Sequence, residues 1–302
     1  MRAIIVGYGN IGKGVYDALH AAPDFELAGV VLRDVTKAAE KGVPAGALVV
    51  DDTAEGLAKL GKVDVALLCV PSRSVPAEAE KWLARGVNTV DSFDIHGDTM
   101  VDLYETLNTA AIDALAVAVI GAGWDPGIDS MIRGIFEFSA PRGVTYTNFG
   151  PGMSMGHTVA VKAIAGVKEA LSVTIPVGTG LHRRMVYIEL TPGADFAAVA
   201  GAIKADPYFV NDETHVMQVE SVAALQDMGH GVNMVRKGVS GAADNQLFTF
   251  DMRINNPALT AQIMVAAARA ADRQQAGCFT LLDIPVADFL PDARKALARR
   301  MV

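Results

Sequence analysis

The first 124 positions alternate short, almost continuous apolar runs with amphipathic stretches. "RAIIVG", "FELAGVVL", "VDVALLCVP", "VNTVDSF" and "LAVAVIGAG" read as strands. The stretch after "RAIIVG", with Val15 and Leu19 on its apolar face, reads as a helix, as do "VPAEAEKWLARG" and "MVDLYETLNTAAI". Strands that are apolar at every position bury both faces, which calls for a parallel sheet with helices on each side. This alternation predicts a Rossmann-type, doubly wound α/β domain.

After Pro126 the pattern changes. A helix over about 126–138 leads into "VTYTNF", "LSVTIPV", "MVYIELTP", "THVMQVES", "GVNMVRKG" and "QLFTFDMRI", which are β-branched and often alternate with polar positions. Helices are expected near 158–170 and 195–204. A long helix is expected in "NPALTAQIMVAAARAADRQQAG", with Asn256 as N-cap, Pro257 in its first turn and Gly277 at its end. These features predict a second, α+β domain built on a mixed, largely antiparallel sheet. The expected boundaries are 1–123 for the first domain and 124–270 for the second, with 271–302 packing back on the first.

Composition narrows the partners. The chain has 302 residues, enough for two cores, with 51% apolar and 20% charged residues, the balance of a globular protein. Its net charge of −8, from 26 basic and 34 acidic residues, and the lack of any Lys/Arg cluster argue against a nucleic-acid or anionic-membrane partner. "MRAIIVGYGN" does not read as a signal peptide, and "LAVAVIGAGW" is about half the roughly 20 residues of a membrane span, so a cytoplasmic protein is expected. The two cysteines, Cys69 and Cys278, lie in strand-like segments and are expected to be buried free thiols. No zinc-ligand spacing occurs, and no metal is expected.

Candidate chemistry begins at Gly7-Tyr8-Gly9-Asn10-Ile11-Gly12, a G-x-G-x-x-G between an N-terminal strand and a helix. Gly7 permits the tight turn, Gly9 lets the backbone approach a pyrophosphate, and Gly12 lets the helix pack close to the strand. The helix start then receives the phosphate charge. The alternative is a tight turn without a ligand. The end of the second strand leaves the dinucleotide open: Asp34, 22 residues after Gly12, suits a ribose 2′-hydroxyl, whereas Arg33 suits a 2′-phosphate. A solvated Arg33–Asp34 pair is the structural alternative. The balance favours NADP, with NAD possible. Cys69, Val70, Pro71, Ser72 and Arg73 at the next strand end, with Ser92, Phe93, Ala122 and Gly123, complete the expected cofactor wall.

Two further strand ends carry carboxylates: Asp91 and Asp94 in "VDSFDIH", and Asp125 in "GWDPG". Ligands of such folds bind outside the carboxyl ends of the strands, so Asp94 and Asp125 are candidates to hold an ammonium group beside the hydride acceptor. Asp125 can also serve as an N-cap for the helix beyond Pro126. In the second domain, Gly150, Gly152 and Gly156 of "FGPGMSMGH" allow close backbone approach, and Thr174, Arg184, His230 and Asn256 are donors suited to a carboxylate.

"GYGNIG", "VDSFDIHGD", "GWDPG", "FGPGMSMGH" and "RINNPALTAQ…GCFTLLDIP" together resemble the meso-diaminopimelate D-dehydrogenases over nearly the whole chain. "FGPGMSMGH" and the short loops look most like the branch that also aminates 2-keto acids to D-amino acids. The resemblance implies NADP, no metal, a homodimer and a place in lysine biosynthesis. It implies that Asp94 and Asp125 hold the D-centre amino group as the catalytic pair, and that Trp124 and Phe149 line the pocket. Met155 and Gly156 would offer backbone contacts to the near carboxylate, while Thr174, Arg184, His230 and Asn256 would grip the distal, L-configured end. One departure stands out: where the family commonly has two adjacent basic residues, this chain has Leu32-Arg33 followed by Asp34. Two alternatives remain, a dihydrodipicolinate-reductase-like imine reductase, whose His-His-rich stretch has no counterpart here, and a non-catalytic dinucleotide-sensing protein.

Overall fold

The computed structural model describes residues 1–225 and 229–302. They form two compact units, Met1–Met131 with Pro257–Val302, and Ile132–Asn256.

In chain order the first unit runs β1 (Arg2–Val6), α1 (Asn10–His20), β2 (Glu26–Val31), β3 (Val49–Val50), α2 (Ala54–Ala58), β4 (Val65–Leu68), α3 (Val75–Leu83), β5 (Asn88–Asp91), α4 (Asp98–Asp113) and β6 (Val117–Val119). Then come α5 (Ile128–Ser139), β7 (Arg142–Phe149), β8 (Gly152–Met153), α6 (Met155–Lys162), β9 (Val167–Gly178), β10 (Leu181–Leu190), α7 (Phe196–Ala205), β11 (Glu213–Gln218), β12 (Gly229–Ser240) and β13 (Ala243–Asn255). The chain closes with α8 (Asn256–Ala271), β14 (Gly277–Phe279) and α9 (Arg294–Met301).

The first unit is built on one parallel sheet in the order β14-β6-β5-β4-β1-β2-β3. From β1 the chain winds one way to β2 and β3 and the other way to β4, β5 and β6, the doubly wound arrangement that opens a crevice at the carboxyl ends of β1 and β4. Ile4, Val6, Ala66 and Leu68 point into one core with Trp82 and Leu107, while the alternate residues Ala3, Ile5, Val65 and Leu67 are equally buried on the other face. The continuous apolar runs therefore mean what they predicted, a sheet covered on both sides. Strand β3 and helices α2 and α9 are too short to register as periodic patterns and were not expected from the sequence.

The units divide at Met131 and Pro257 rather than at 124 and 270. The physical reason is α8, which packs on α1 so closely that a Cβ on Gly14 would lie 2.8 Å from that of Ala261. Arg269 near the end of α8 also donates from Nη2 to Asp24 Oδ1 at 2.9 Å. Helix α8 begins at Asn256, so Asn256 is its first residue rather than the residue before it, and its Nδ2 donates to the Met153 carbonyl at 3.2 Å. The helix ends at Ala271; Gly277 instead opens β14, with φ of +151° that a side chain would resist.

The second unit has two sheets rather than one. Strands β11-β10-β9-β8 form a mixed sheet in which only β10 and β11 pair in parallel, and β13-β12-β7 form an antiparallel sheet. Helix α6 occupies 155–162 rather than 158–170, because Gly166, at φ +92°, turns the chain and the "VKEA" that follows is already strand β9. One face of the mixed sheet, with Ala170, Val186 and Ile188, packs under α6 and α7 against Val161, Val199, Ile203 and Phe209.

Candidate active site

In the first unit, the glycine loop has the geometry its spacing implies. Gly7 leaves β1 at φ +88°, and a Cβ there would stand 2.6 Å from the Cys69 carbonyl oxygen; a Cβ on Gly12 would stand 2.5 Å from the Gly7 carbonyl oxygen. Gly9 differs from both: nothing lies within 4 Å of where its Cβ would be. It precedes α1, which no side chain caps and whose first turn holds no acidic residue. The amides of Asn10, Ile11 and Gly12 thus begin a helix beside open space, and that fits a pyrophosphate. Tyr8 is buried behind the turn.

At the end of β2 the solvated Arg33–Asp34 pair does not form. Asp34 Oδ1 instead accepts from the Thr36 amide at 3.0 Å and from Thr36 Oγ1 at 2.5 Å, capping a short turn over Val35–Lys37. Those hydrogen bonds hold its carboxyl below the usual carboxylate range. Arg33 is exposed and makes no hydrogen bond or ion pair among the described residues.

The loops after β4, β5 and β6 are tied together. Ser72 Oγ donates to Asp94 Oδ1 at 2.6 Å, joining the expected cofactor wall to a candidate catalytic carboxylate. Asp91 is fully buried, and its Oδ1 accepts from the amides of Phe93 at 2.9 Å and Gly121 at 3.1 Å, while its carbonyl accepts from the Ala122 amide at 2.7 Å. One residue therefore laces the backbone that carries Ser92, Phe93 and Asp94 to the backbone that carries Ala122, Gly123, Trp124 and Asp125. Burial pushes the Asp91 carboxyl up to about 6, and its Oδ2 has no partner. Asp94 and Asp125 thus follow the ends of adjacent strands, β5 and β6.

"GWDPG" forms a tight reversal in which Gly123 and Trp124 bridge to Gly127, around a cis Asp125–Pro126 bond. Gly127 admits no side chain, since a Cβ would fall 1.8 Å from the Gly123 carbonyl oxygen. Trp124 is buried, 6% exposed. Helix α5 starts at Ile128, three residues beyond Asp125; the Gly127 amide donates to Ser130 Oγ at 3.2 Å and the Ile128 amide to the Gly123 carbonyl at 3.2 Å.

In the second unit, strand register assembles the polar set. Thr174 on β9 lies opposite Arg184 on β10, and Arg184 lies opposite Thr214 on β11, so the three share a face. Arg184 donates from Nη1 to Thr174 Oγ1 and from Nε to Asp212 Oδ2, the latter at 2.6 Å. His182, two residues before Arg184 and so on the same face, accepts from the Phe149 amide at 2.8 Å and sits 5.4 Å from the Phe149 ring. His230 is buried; desolvation first, then the charge of Arg184, pushes it down to about 4. Its Nδ1 lies 2.7 Å from the Gly231 amide nitrogen and 3.0 Å from the Gly231 carbonyl oxygen, which fixes the ring against β12. Asn256 is held at β8 through the Met153 carbonyl, two residues before Met155 and Gly156, the first two residues of α6. A cavity of about 200 Å³ lined by Pro151, Gly152, Met153, Leu171 and Val173 opens on the opposite face of β9 and does not contain this polar set.

Sequence reasoning missed Asp212 and His182. His182 was recoverable, because alternation along a strand places it with Arg184. Asp212 was not, because it meets Arg184 only through the pairing of β10 with β11. Among the described residues no cluster of His, Cys, Asp or Glu could hold a metal ion.

Residues 1–92 match the family described as "Oxidoreductase family, NAD-binding Rossmann fold", and residues 123–181 match "Diaminopimelic acid dehydrogenase C-terminal domain". A meso-diaminopimelate D-dehydrogenase of Bacteroides fragilis is 61% identical, over 98% of this chain and 97% of the relative. The enzyme of that name from Corynebacterium glutamicum is 30% identical, over 94% of this chain and 93% of the relative. Among solved structures, the C. glutamicum DAP dehydrogenase in complex with DAP superposes with a TM-score of 0.89 at 29% identity, covering 100% of this chain and 99% of that one. An engineered D-amino acid dehydrogenase bound to NADP+ gives 0.89 at 28% identity, with the same coverage. With an NAD-binding Rossmann sheet, a second unit of mixed and antiparallel sheets, and a relative so close along its whole length, the chain belongs to the meso-diaminopimelate D-dehydrogenase family.

Proposed function

We propose that this chain catalyses the reversible, NADP-dependent oxidative deamination of the D-centre of meso-2,6-diaminopimelate, giving L-2-amino-6-oxopimelate and ammonia. The observation that carries the reading is the lacing of Asp94 and Asp125 to the ends of β5 and β6, next to a glycine loop suited to a dinucleotide. The relatives' names and the DAP complex of the C. glutamicum enzyme support the substrate.

Bound at the glycine loop, the cofactor would supply the hydride acceptor. Gly7, Gly9 and Gly12 with the start of α1 would hold its pyrophosphate, Arg33 its 2′-phosphate, and Cys69, Val70, Pro71, Ser72, Ser92, Phe93, Ala122 and Gly123 its ribose and nicotinamide. We assign Asp94 and Asp125 to the D-centre ammonium; one of them, directly or through water, takes the proton the nitrogen must lose before the Cα hydrogen leaves as hydride. The resulting imine adds water and releases ammonia. Trp124 and Phe149 would wall the pocket, the amides of Met155 and Gly156 would take the near carboxylate, and Thr174, Arg184, His230 and Asn256 the distal one. Run in reverse with ammonia, the same groups would make D-amino acids from 2-keto acids, an activity in keeping with the D-amino acid dehydrogenase match.

Support for NADP comes from Arg33, uncommitted at the end of β2, while Asp34 is engaged with Thr36. A homodimer is consistent with the uncovered face of the antiparallel sheet, where Val144, Tyr146 and Leu247 are exposed. The free thiols Cys69 and Cys278 suit the reducing cytoplasm.

The test supplies meso-, LL- and DD-diaminopimelate separately with NADP+ or NAD+ and follows the absorbance of the reduced nicotinamide. Turnover of the meso isomer above the others, faster with NADP+, is expected. Cofactor binding with no turnover of any isomer would overturn the reading.

A further inference from the structure

The distal end of the proposed substrate carries two charges, a carboxylate and an ammonium. None of the residues assigned to it from the sequence, Thr174, Arg184, His230 and Asn256, carries a negative charge to meet the second. In the second unit Arg184 does not stand alone: its Nε donates to Asp212 Oδ2 at 2.6 Å, with side-chain exposures of 14% and 23%. Among the described residues, the other polar groups placed on this face add no second anion. Thr174 and Thr214 are hydroxyls, His230 is neutral, and burial together with Arg184 lowers the His182 imidazole as well. Asp212 is placed by the fold: it lies in the bend just before β11, two residues before Thr214, whose Oγ1 donates to the Asp212 carbonyl at 3.2 Å, and β11 pairs Thr214 with Arg184.

A guanidinium already paired with a fixed carboxylate attracts a bare carboxylate ligand weakly, because the anion beside it repels the ligand. An amino-acid end meets an opposite partner for each of its charges. We propose that Asp212 makes the distal subsite selective for an α-amino acid over a simple carboxylate: Arg184 with Thr174 takes the carboxylate, and Asp212 accepts from the neighbouring ammonium. This rests on the reaction proposed above, and it adds a specificity-determining residue that none of the sequence motifs contains.

Meso-diaminopimelate is compared with D-2-aminopimelate, which has the same reacting centre and both carboxylates but no distal amine. Wild-type enzyme with NADP+ is expected to prefer meso-diaminopimelate at least tenfold in kcat/KM, the worth of one charge-assisted hydrogen bond. Asp212→Asn keeps an oxygen for Arg184 Nε and removes the charge. It is expected to raise KM for meso-diaminopimelate about tenfold or more, while KM for D-2-aminopimelate stays level or falls and kcat changes little on either. Equal use of both substrates by the wild type refutes the proposal without any variant. Equal losses on both substrates in Asp212→Asn also refute it and leave Asp212 as a residue that only positions Arg184. No wild-type turnover of meso-diaminopimelate overturns the proposed reaction, and this assignment with it.

Discussion

Asp91→Asn isolates the cost of a buried charge from the value of a hydrogen-bonded lace. Asn retains a side-chain oxygen for the Phe93 and Gly121 amides and cannot ionise. In the wild type, burial raises the carboxyl from 3.8 to about 6, so its folded pKa lies above its unfolded one. Between those values the folded chain holds a proton that the unfolded chain has released, and stability falls as pH rises through the window. At about 1.36 kcal/mol per pH unit, the full fall is about 3 kcal/mol, complete above pH 7.

Asn at this position feels none of that fall. The stability of Asp91→Asn relative to wild type is therefore expected to improve by about 3 kcal/mol between pH 3.5 and 7.5, whatever its offset at low pH. Carboxylates elsewhere titrate in both proteins and cancel in the difference. Urea unfolding followed by tryptophan fluorescence reads the first unit selectively, because both tryptophans, Trp82 and Trp124, are buried in it. A difference that stays flat with pH would refute the reasoning, since Asp91 would then titrate alike folded and unfolded. Asp91→Leu, which removes the acceptor from two buried amides, is expected to lose stability at every pH and to lower kcat by loosening Asp94 against Asp125.

The glycine loop gives a contrasting pair. Gly9→Ala is expected to leave thermal stability unchanged, since its Cβ meets nothing within 4 Å, yet to weaken NADPH binding at least tenfold by filling the space kept for phosphate; Gly12→Ala, 2.5 Å from a backbone oxygen, should lose both. NADPH fluorescence titration beside a thermal melt separates the two, and unimpaired binding by Gly9→Ala would remove the pyrophosphate from this loop. Arg33→Ala is expected to weaken NADP+ roughly 10- to 100-fold and NAD+ hardly at all, measured by calorimetry; equal effects would take the 2′-phosphate away from Arg33.

The two halves of the site differ in how far they can be read from sequence, and the difference is one of sequence distance. The glycine loop is legible because each glycine answers to a neighbour set by local geometry: Gly7 to a positive φ, Gly12 to the carbonyl five residues earlier. Asp34 was legible in the same way, since Thr36 two residues on is an ordinary local cap, and weighing that cap would have reduced its claim on the ribose. The strands of the second unit follow from alternation. The ends of α6 and α8 were misplaced because the signals used, apolar period and terminal glycine, fit a turn-and-strand equally well at Gly166 and Gly277.

Specificity resists the same treatment. Thr174 and Arg184 are ten residues apart and meet across one hairpin, so a reader who pairs β9 with β10 can place them together. Asp212 reaches Arg184 only because β11 joins β10 in parallel after an intervening helix, α7. Parallel pairing leaves no tight turn to mark its register. The carboxylate that neutralises Arg184 is thus invisible to motif and period alike, although it changes the ligand this face prefers. In a chain whose cofactor loop is fixed by contacts a few residues apart, the choice of substrate rests on pairings 28 residues apart, and a one-residue slip of β11 would break the pairing that sets Asp212 beside Arg184 and leave Arg184 without its counter-ion.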